Sequence, residues 1–163
     1  IELERTLVSI PGARAFNLAL GGSFGTVTMN RSAFTPCSSL LAGTASLGGD
    51  YPDAAVITSV PVEMARLDDV LAAVTVVDEL LIKMDVQGFE AEVMKGAPVA
   101  LERAKVVAVE VCFFRQLYQG QPLFDDIYQI LREQGFVFMG LAEQQISSTD
   151  GRVVEADAVF ERR

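Results

Sequence analysis

LIKMDVQGFE, residues 81–90, decides the fold: it reads as a buried strand that ends on an acid and turns at once into a helix. The predicted strand covers residues 80–86 and is apolar on both faces except for Lys83 and Asp85. Gly88 allows a tight strand-to-helix turn and close approach of the backbone. The helix that follows spans residues 89–95, with Glu90 and Glu92 where negative charge is favourable, and stops at Gly96. Pro98 then opens another helical turn at its favoured first position.

Working outward, residues 106–112 (VVAVEVC) form an apolar strand broken only by Glu110. Residues 123–134 form a helix with Phe124, Ile127, Ile130 and Leu131 on one face, ending at Gly135. Residues 136–141 and 153–161 close the chain as two strands joined by a polar turn containing Asp150 and Gly151, and they should form an antiparallel hairpin. Upstream, residues 13–20 (ARAFNLAL) and 26–30 (TVTMN) read as strands, as do residues 55–63, where Pro61 predicts an edge position. Residues 67–73 form a short helix with Asp68 and Asp69 in its first turn. Residues 31–53 form a long loop with a short helix near Ser39, and a loop of that length is usually functional or mobile. Residues 1–10 read as the end of a helix already under way, so the expectation is a chain that starts inside a larger protein. Doubly buried strands alternating with helices indicate an α/β fold with a mostly parallel sheet.

Composition bounds the function. The 163 residues suit one domain, and half of them are hydrophobic. A formal charge of -9 with scattered basic residues argues against a nucleic-acid or anionic-membrane partner. No apolar run is long enough to cross a membrane. Cys37 and Cys112 suggest neither a disulfide scaffold nor a zinc site, and a reducing cytoplasm is the simplest setting. The absence of histidine excludes a Ser-His-Asp triad and a Cys-His pair built from this chain alone. A general base must be a carboxylate, Lys, Tyr or Cys.

In open α/β sheets ligands bind beyond the carboxyl ends of the strands. Asp85 ends one strand and Glu110 lies close to the end of another, so neighbouring strands would bring both carboxylates to one crevice. Each has a plainer reading: Asp85 as a helix N-cap, and Glu110 as the partner of Lys83 or Arg115 in a salt bridge. Glu90 faces the same crevice from the first helical turn. There is no G-x-G-x-x-G and no G-x-x-x-x-G-K-[ST], so the chain carries no phosphate loop of its own. Two carboxylates without a third ligand are weak grounds for a metal, and none is assigned.

Together these segments resemble the FkbM family of S-adenosylmethionine-dependent methyltransferases. FNLALGGSFGTVTMN (16–30), MARLDDVL (64–71), LIKMDVQGFEAEVMKGA (81–97), the strand, Tyr-x-Gly-Gln-Pro loop and helix of residues 106–138, and GRVVEADAVFERR (151–163) follow the family's order and spacing. The resemblance implies a Rossmann-like class I methyltransferase, with a seven-stranded, mostly parallel sheet, helices on both faces and a final antiparallel hairpin. It implies transfer of a methyl group from S-adenosylmethionine to a hydroxyl of a small molecule, sugar or glycan. Carried over residue by residue, it assigns Asp85, Glu110 and Glu90 as catalytic, and Asn17, Ala19, Asp85, Gln87 and Gly88 as cofactor-binding. Gln87 stands where the family often has Glu, which keeps the hydrogen bonding and loses the charge.

The family's first two strands, with the glycine loop and the acid for the ribose, have no counterpart here, so residues 1–163 are expected to be one N-terminally incomplete domain. Without those strands the 80–86 strand has an open apolar edge, favouring association; a chain complete as it stands would form a homodimer there or rearrange its pairing. A second reading from another class is a non-catalytic remnant or interaction domain that binds no cofactor. A nucleotide-dependent oxidoreductase would need the same missing loop and lacks this terminal hairpin.

Overall fold

A computed structural model describes residues 7–76, 79–147 and 150–163; most of the predicted helix end at residues 1–10 lies outside them. Strand β1 is Ala19–Leu20, β2 Gly25–Ser32 and β3 Val56–Ala65. Between β2 and β3 lie a 3-10 turn, Thr35–Cys37, and helix α1, Ala45–Asp50. Helix α2 (Leu67–Ala72), β4 (Leu80–Met84), α3 (Glu90–Lys95), α4 (Pro98–Arg103) and β5 (Ala104–Cys112) follow. Helix α5 (Phe124–Glu133), β6 (Phe136–Ile146) and β7 (Val153–Arg162) complete the fold.

The strands form two sheets, of order β1-β3-β2 and β4-β5-β7-β6. In the larger, β4 and β5 are parallel, and β7 pairs antiparallel with both β5 and β6. The closing hairpin is thus present, with its second strand inserted beside β5. In the smaller, β2 and β3 are antiparallel, and β1 adds two parallel rungs at Met64 and Ala65. The expected single, mostly parallel sheet is therefore corrected to mixed α/β architecture in two sheets. Antiparallel neighbours need no crossover helix, and β7 folds back between β5 and β6, so three of the five pairings run antiparallel.

Three further expectations change. The strand at residues 13–20 shrinks to β1. The 55–63 strand lies between two partners and is not an edge. Pro61 is tolerated because β1 reaches only Met64 and Ala65, leaving that side of β3 open beside the proline. The predicted burial of both faces of residues 80–86 holds for one face: Ile82 and Met84 are buried, whereas Leu81 is 61% exposed.

Side-chain alternation explains that asymmetry. Ile82 and Met84 pair with Val107 and Val109, which pair in turn with Phe160 and Ala158. These residues share one face and one core with Val93, Met94, Leu101, Ile127 and Leu131 from α3, α4 and α5. The opposite face carries Lys83, Glu110 and Asp157. Among the described residues no strand pairs with the outer edge of β4, and no helix is long and apolar enough to cross a membrane.

The two sheets meet where Gly96, after α3, packs on the end of β1. A Cβ on Gly96 would lie 2.0 Å from the Gly21 carbonyl oxygen and 3.3 Å from Arg66 Cα. The sequence marked Gly96 as a helix stop; the structure adds a close backbone crossing that no side chain fits. Beside it the Asp68 carboxylate accepts from the Val99 and Ala100 N–H groups at 3.1 and 2.8 Å, capping α4 from a neighbouring helix.

Gly96→Ala is expected to destabilise the chain by about 1–3 kcal/mol in urea denaturation, because backbone must move to admit the methyl group. Gly49→Ala, inside α1 with nothing within 4 Å of the added Cβ, is the control and should leave stability unchanged or slightly raised. Equal effects at the two positions would refute the crossing as the cause.

Candidate active site

The turn between β4 and α3 is built on two left-handed residues, Gln87 (φ 54) and Gly88 (φ 93). Glycine accepts that conformation freely; for Gln87 it costs on the order of 1–2 kcal/mol and persists only if the surroundings enforce it. Glu90 does part of this. It is 2% exposed, and its Oε1 accepts from the Gly88 N–H at 3.1 Å and the Val86 N–H at 3.3 Å. Burial raises the Glu90 carboxyl above the usual range, partly offset by these backbone donors. Its carboxylate is turned back under the turn and lines neither neighbouring cleft. In this geometry Glu90 holds the backbone of the turn. Gly88 packs under two loops, with Leu41 Cδ1 and Tyr118 Cβ 3.2 Å from a hypothetical Cβ.

Gln87 is the hub of the site. Its side-chain amide donates to Asp85 Oδ1 at 2.9 Å and to Glu110 Oε2 at 2.7 Å. Its Oε1 accepts from the Tyr118 hydroxyl at 2.7 Å, and its backbone carbonyl accepts from Ser39 Oγ at 2.7 Å. The parallel pairing of β4 and β5 sets Asp85 and Glu110 on adjacent strands, as expected, and one amide bridges them. Sequence reasoning placed Gln87 at the site without its bridging role, and it missed Tyr118 and Ser39. The signal for Tyr118 was its place in the Tyr-x-Gly-Gln-Pro loop, which Gln121 folds by accepting from the Leu117 and Tyr118 N–H groups.

The salt bridges considered for Glu110 are not made. Lys83 pairs with Asp157, and Arg115 pairs with Asp50 at 2.8 Å and Asp150 at 3.5 Å. Burial, then the nearby Glu155 and Asp85 carboxylates, push Glu110 up to about 9. Glu155, on β7, is itself raised by burial and accepts a hydrogen bond from the Tyr51 hydroxyl. Burial also pushes the Cys112 thiol up to about 12, in keeping with an inert core residue.

Asp85 stands between two clefts. One, of about 480 Å³, opens on the face of the larger sheet opposite the main core and includes Asp85, Glu110, Glu143, Glu155, Asp157 and Lys83 in its lining. Glu143 enters it from an irregularity in β6 where its φ is 31. Glu155 and Asp157 of β7 were missed in the sequence; the signal for them is their spacing of two residues, which sets both on one strand face. The other cleft, of about 300 Å³, is lined by Leu18, Ala19, Leu20, Met29, Val86 and Phe89 together with Asp85 and Gln87. Ala19 is therefore brought to the site; Asn17 is exposed and lines neither cleft. Gly88 supplies the turn between them. Among the described residues no group of three or more His, Cys, Asp or Glu is placed to hold a metal ion.

The model of the methyltransferase FkbM domain matches residues 3–138. No curated protein and no solved structure matches the chain.

The raised Glu110 carboxyl fixes a sign for stability against pH. An ordinary glutamate titrates near about 4.3 when unfolded, so the protonated group favours the folded chain. That contribution is whole below the unfolded value and is lost as pH rises through about 9. Glu110→Gln should therefore make the slope of unfolding free energy between pH 5 and 8 less negative, by up to about 1.4 kcal/mol per pH unit. Urea denaturation at a series of pH values measures it, and parallel slopes for the two proteins would contradict the assignment.

Proposed function

The chain belongs to the FkbM methyltransferase family, and on that footing we propose that it moves a methyl group from S-adenosylmethionine to a hydroxyl oxygen of a small molecule, sugar or glycan. The order β4-β5-β7-β6, with its final antiparallel hairpin, supports reading the larger sheet as the latter part of a Rossmann-like class I sheet. The setting we assign is cytoplasmic.

The observation that carries the reading is the position of Asp85, on the rim of an apolar cleft and a polar one at once. The apolar cleft suits the cofactor's adenosyl portion: Ala19 and Leu20 face it from β1, Val86 and Phe89 from the turn, and Asp85 and Gln87 add polar atoms. Its volume is at the lower end of the range of about 300–1,000 Å³ usual for small-molecule sites. When bound, S-adenosylmethionine supplies a methyl group already activated on a sulfonium.

What remains for the protein is to hold the acceptor hydroxyl in line and take its proton. Two carboxyl groups are at hand, and they are not equivalent. Glu110, raised to about 9, keeps its proton at neutral pH. Asp85 is the exposed member of the pair and faces the polar cleft, so we assign it as the base. The lining of that cleft also bears on the acceptor. With Glu110 protonated, four further carboxyl groups still outnumber the one lysine, itself paired with Asp157, and disfavour an anion. The acceptor we expect is a neutral or cationic hydroxyl compound.

Asp85→Asn should lower methyl transfer by a factor of about 10²–10⁴, the usual contribution of a positioned base. Label from S-adenosylmethionine would be followed into a panel of hydroxylated acceptors, with phosphorylated or carboxylated analogues the poorer substrates. Calorimetry should show cofactor affinity held within about tenfold. Unchanged turnover removes the base role, and a chain that binds no S-adenosylmethionine removes the methyltransferase reading altogether.

A further inference from the structure

The hydrogen bonds around Gln87 satisfy every polar atom of its side chain. The amide has two hydrogens, and one carboxyl oxygen each of Asp85 and Glu110 lies 2.9 and 2.7 Å from its nitrogen. The Tyr118 hydroxyl lies 2.7 Å from Oε1 and 3.1 Å from the Cys37 carbonyl oxygen. Turned over, the amide would set its oxygen against the Asp85 carboxylate, which accepts only, whereas the phenol could take a bond from the nitrogen and still donate to Cys37; it is Asp85 that selects the orientation. Ser39 Oγ fixes the backbone from the other side, and the left-handed φ of 54 is thereby held in place.

Resting on the methyltransferase reading, we propose that Gln87 is a positioning residue, whose amide holds Asp85 and Glu110 in fixed relation and keeps Asp85 the proton acceptor of the pair. The two carboxyl groups are themselves in hydrogen-bond contact, and with no other donor between them they would share a proton and lose their separate roles. The amide adds two hydrogens of its own to that contact, neither of which titrates. A glutamate at this position would do the opposite: it would add a third carboxylate and require a further proton to bridge it to its neighbours.

The surroundings act in the same direction. Glu155 and Glu143 face the pair from β7 and β6, and the Lys83 charge on β4 is spent on Asp157. Glu90 lies beneath with its carboxylate on the backbone, and the Tyr51 hydroxyl is bonded to Glu155. Among the described residues no cation pairs with either Asp85 or Glu110. The Gln87 amide is the donor that serves both.

The test is a carboxyl ¹³C NMR titration of the full chain, which needs neither cofactor nor acceptor. In Gln87→Leu the midpoints of Asp85 and Glu110 should both rise, by about one pH unit or more, a tenfold gain in proton affinity. Gln87→Glu keeps the side-chain length and the Tyr118 bond, and it carries the test if the leucine variant fails to fold. That variant should bind one proton more than the unmodified chain at pH 7. Midpoints that stay within about 0.2 units in both folded variants overturn the proposal. In turnover, Gln87→Leu should lower kcat and shift the pH at half-maximal kcat along with the carboxyl midpoints. A kcat loss without that shift marks a merely structural residue and also overturns it. Failure of the methyltransferase reading would be seen separately, as absence of cofactor binding with the carboxyl midpoints still moved.

Discussion

The structure depends on a backbone constraint five residues long. Between the end of β4 and the start of α3 the chain must pass from extended to helical conformation, and it does so through two consecutive left-handed residues, Gln87 and Gly88. Nothing local to Gln87 favours that state. It is imposed by Glu90, whose buried carboxylate gathers the Val86 and Gly88 N–H groups, and by Leu41, Tyr118 and Gln121, which close on Gly88 from two loops. Leu41, Tyr118 and Gln121 belong to segments far away in sequence. The turn therefore orders the residue 31–53 loop and the residue 113–122 loop as much as they order it.

From that turn the site follows without further devices. Asp85 lies one residue beyond β4, so its position is set by the parallel register with β5, which also sets Glu110. Gln87 reaches back across the gap between them because its backbone is left-handed; in a regular helical turn its side chain would project elsewhere. The functional arrangement and the strained conformation are thus one feature. Strain retained at such a point, where the rest of the fold enforces it, is a frequent mark of an active site.

The elements that repeat a pattern over several residues were legible in the sequence. The alternation in β7, the continuous apolar run of β5 and the stripe on α5 each predicted their element to within a few residues, because local periodicity dictates which face is buried. Pairing was less legible. The mixed direction of the sheets comes from two hairpins, and only the terminal one had an evident turn. The β2–β3 hairpin closes over a connection of more than twenty residues, rich in Ser and Gly, whose register is fixed by packing and by the Ser39–Gln87 bond and not by turn chemistry. At the site, Asp85 and Glu110 were found from polarity inside apolar strands. Glu90 was singled out in the same way, and only the structure shows the two backbone donors through which it holds the turn.

The distribution of acids over the larger sheet supports a functional origin more than a structural one. One face of that sheet is covered by helices and accounts for most of the apolar core. The other gathers Asp85, Glu110, Glu155 and Asp157 around a cleft, with Lys83 as the lone cation in its lining. For stability alone this is a poor arrangement, since partly buried carboxylates repel each other and each raises the proton affinity of the next. Replacing them with neutral residues on an open face would cost little in packing. Their concentration beside a strained turn, with a neutral amide inserted where another acid would fit, is what the proposed proton transfer would draw on: a carboxyl group facing the cleft, a neighbour raised by burial, and a fixed donor between them.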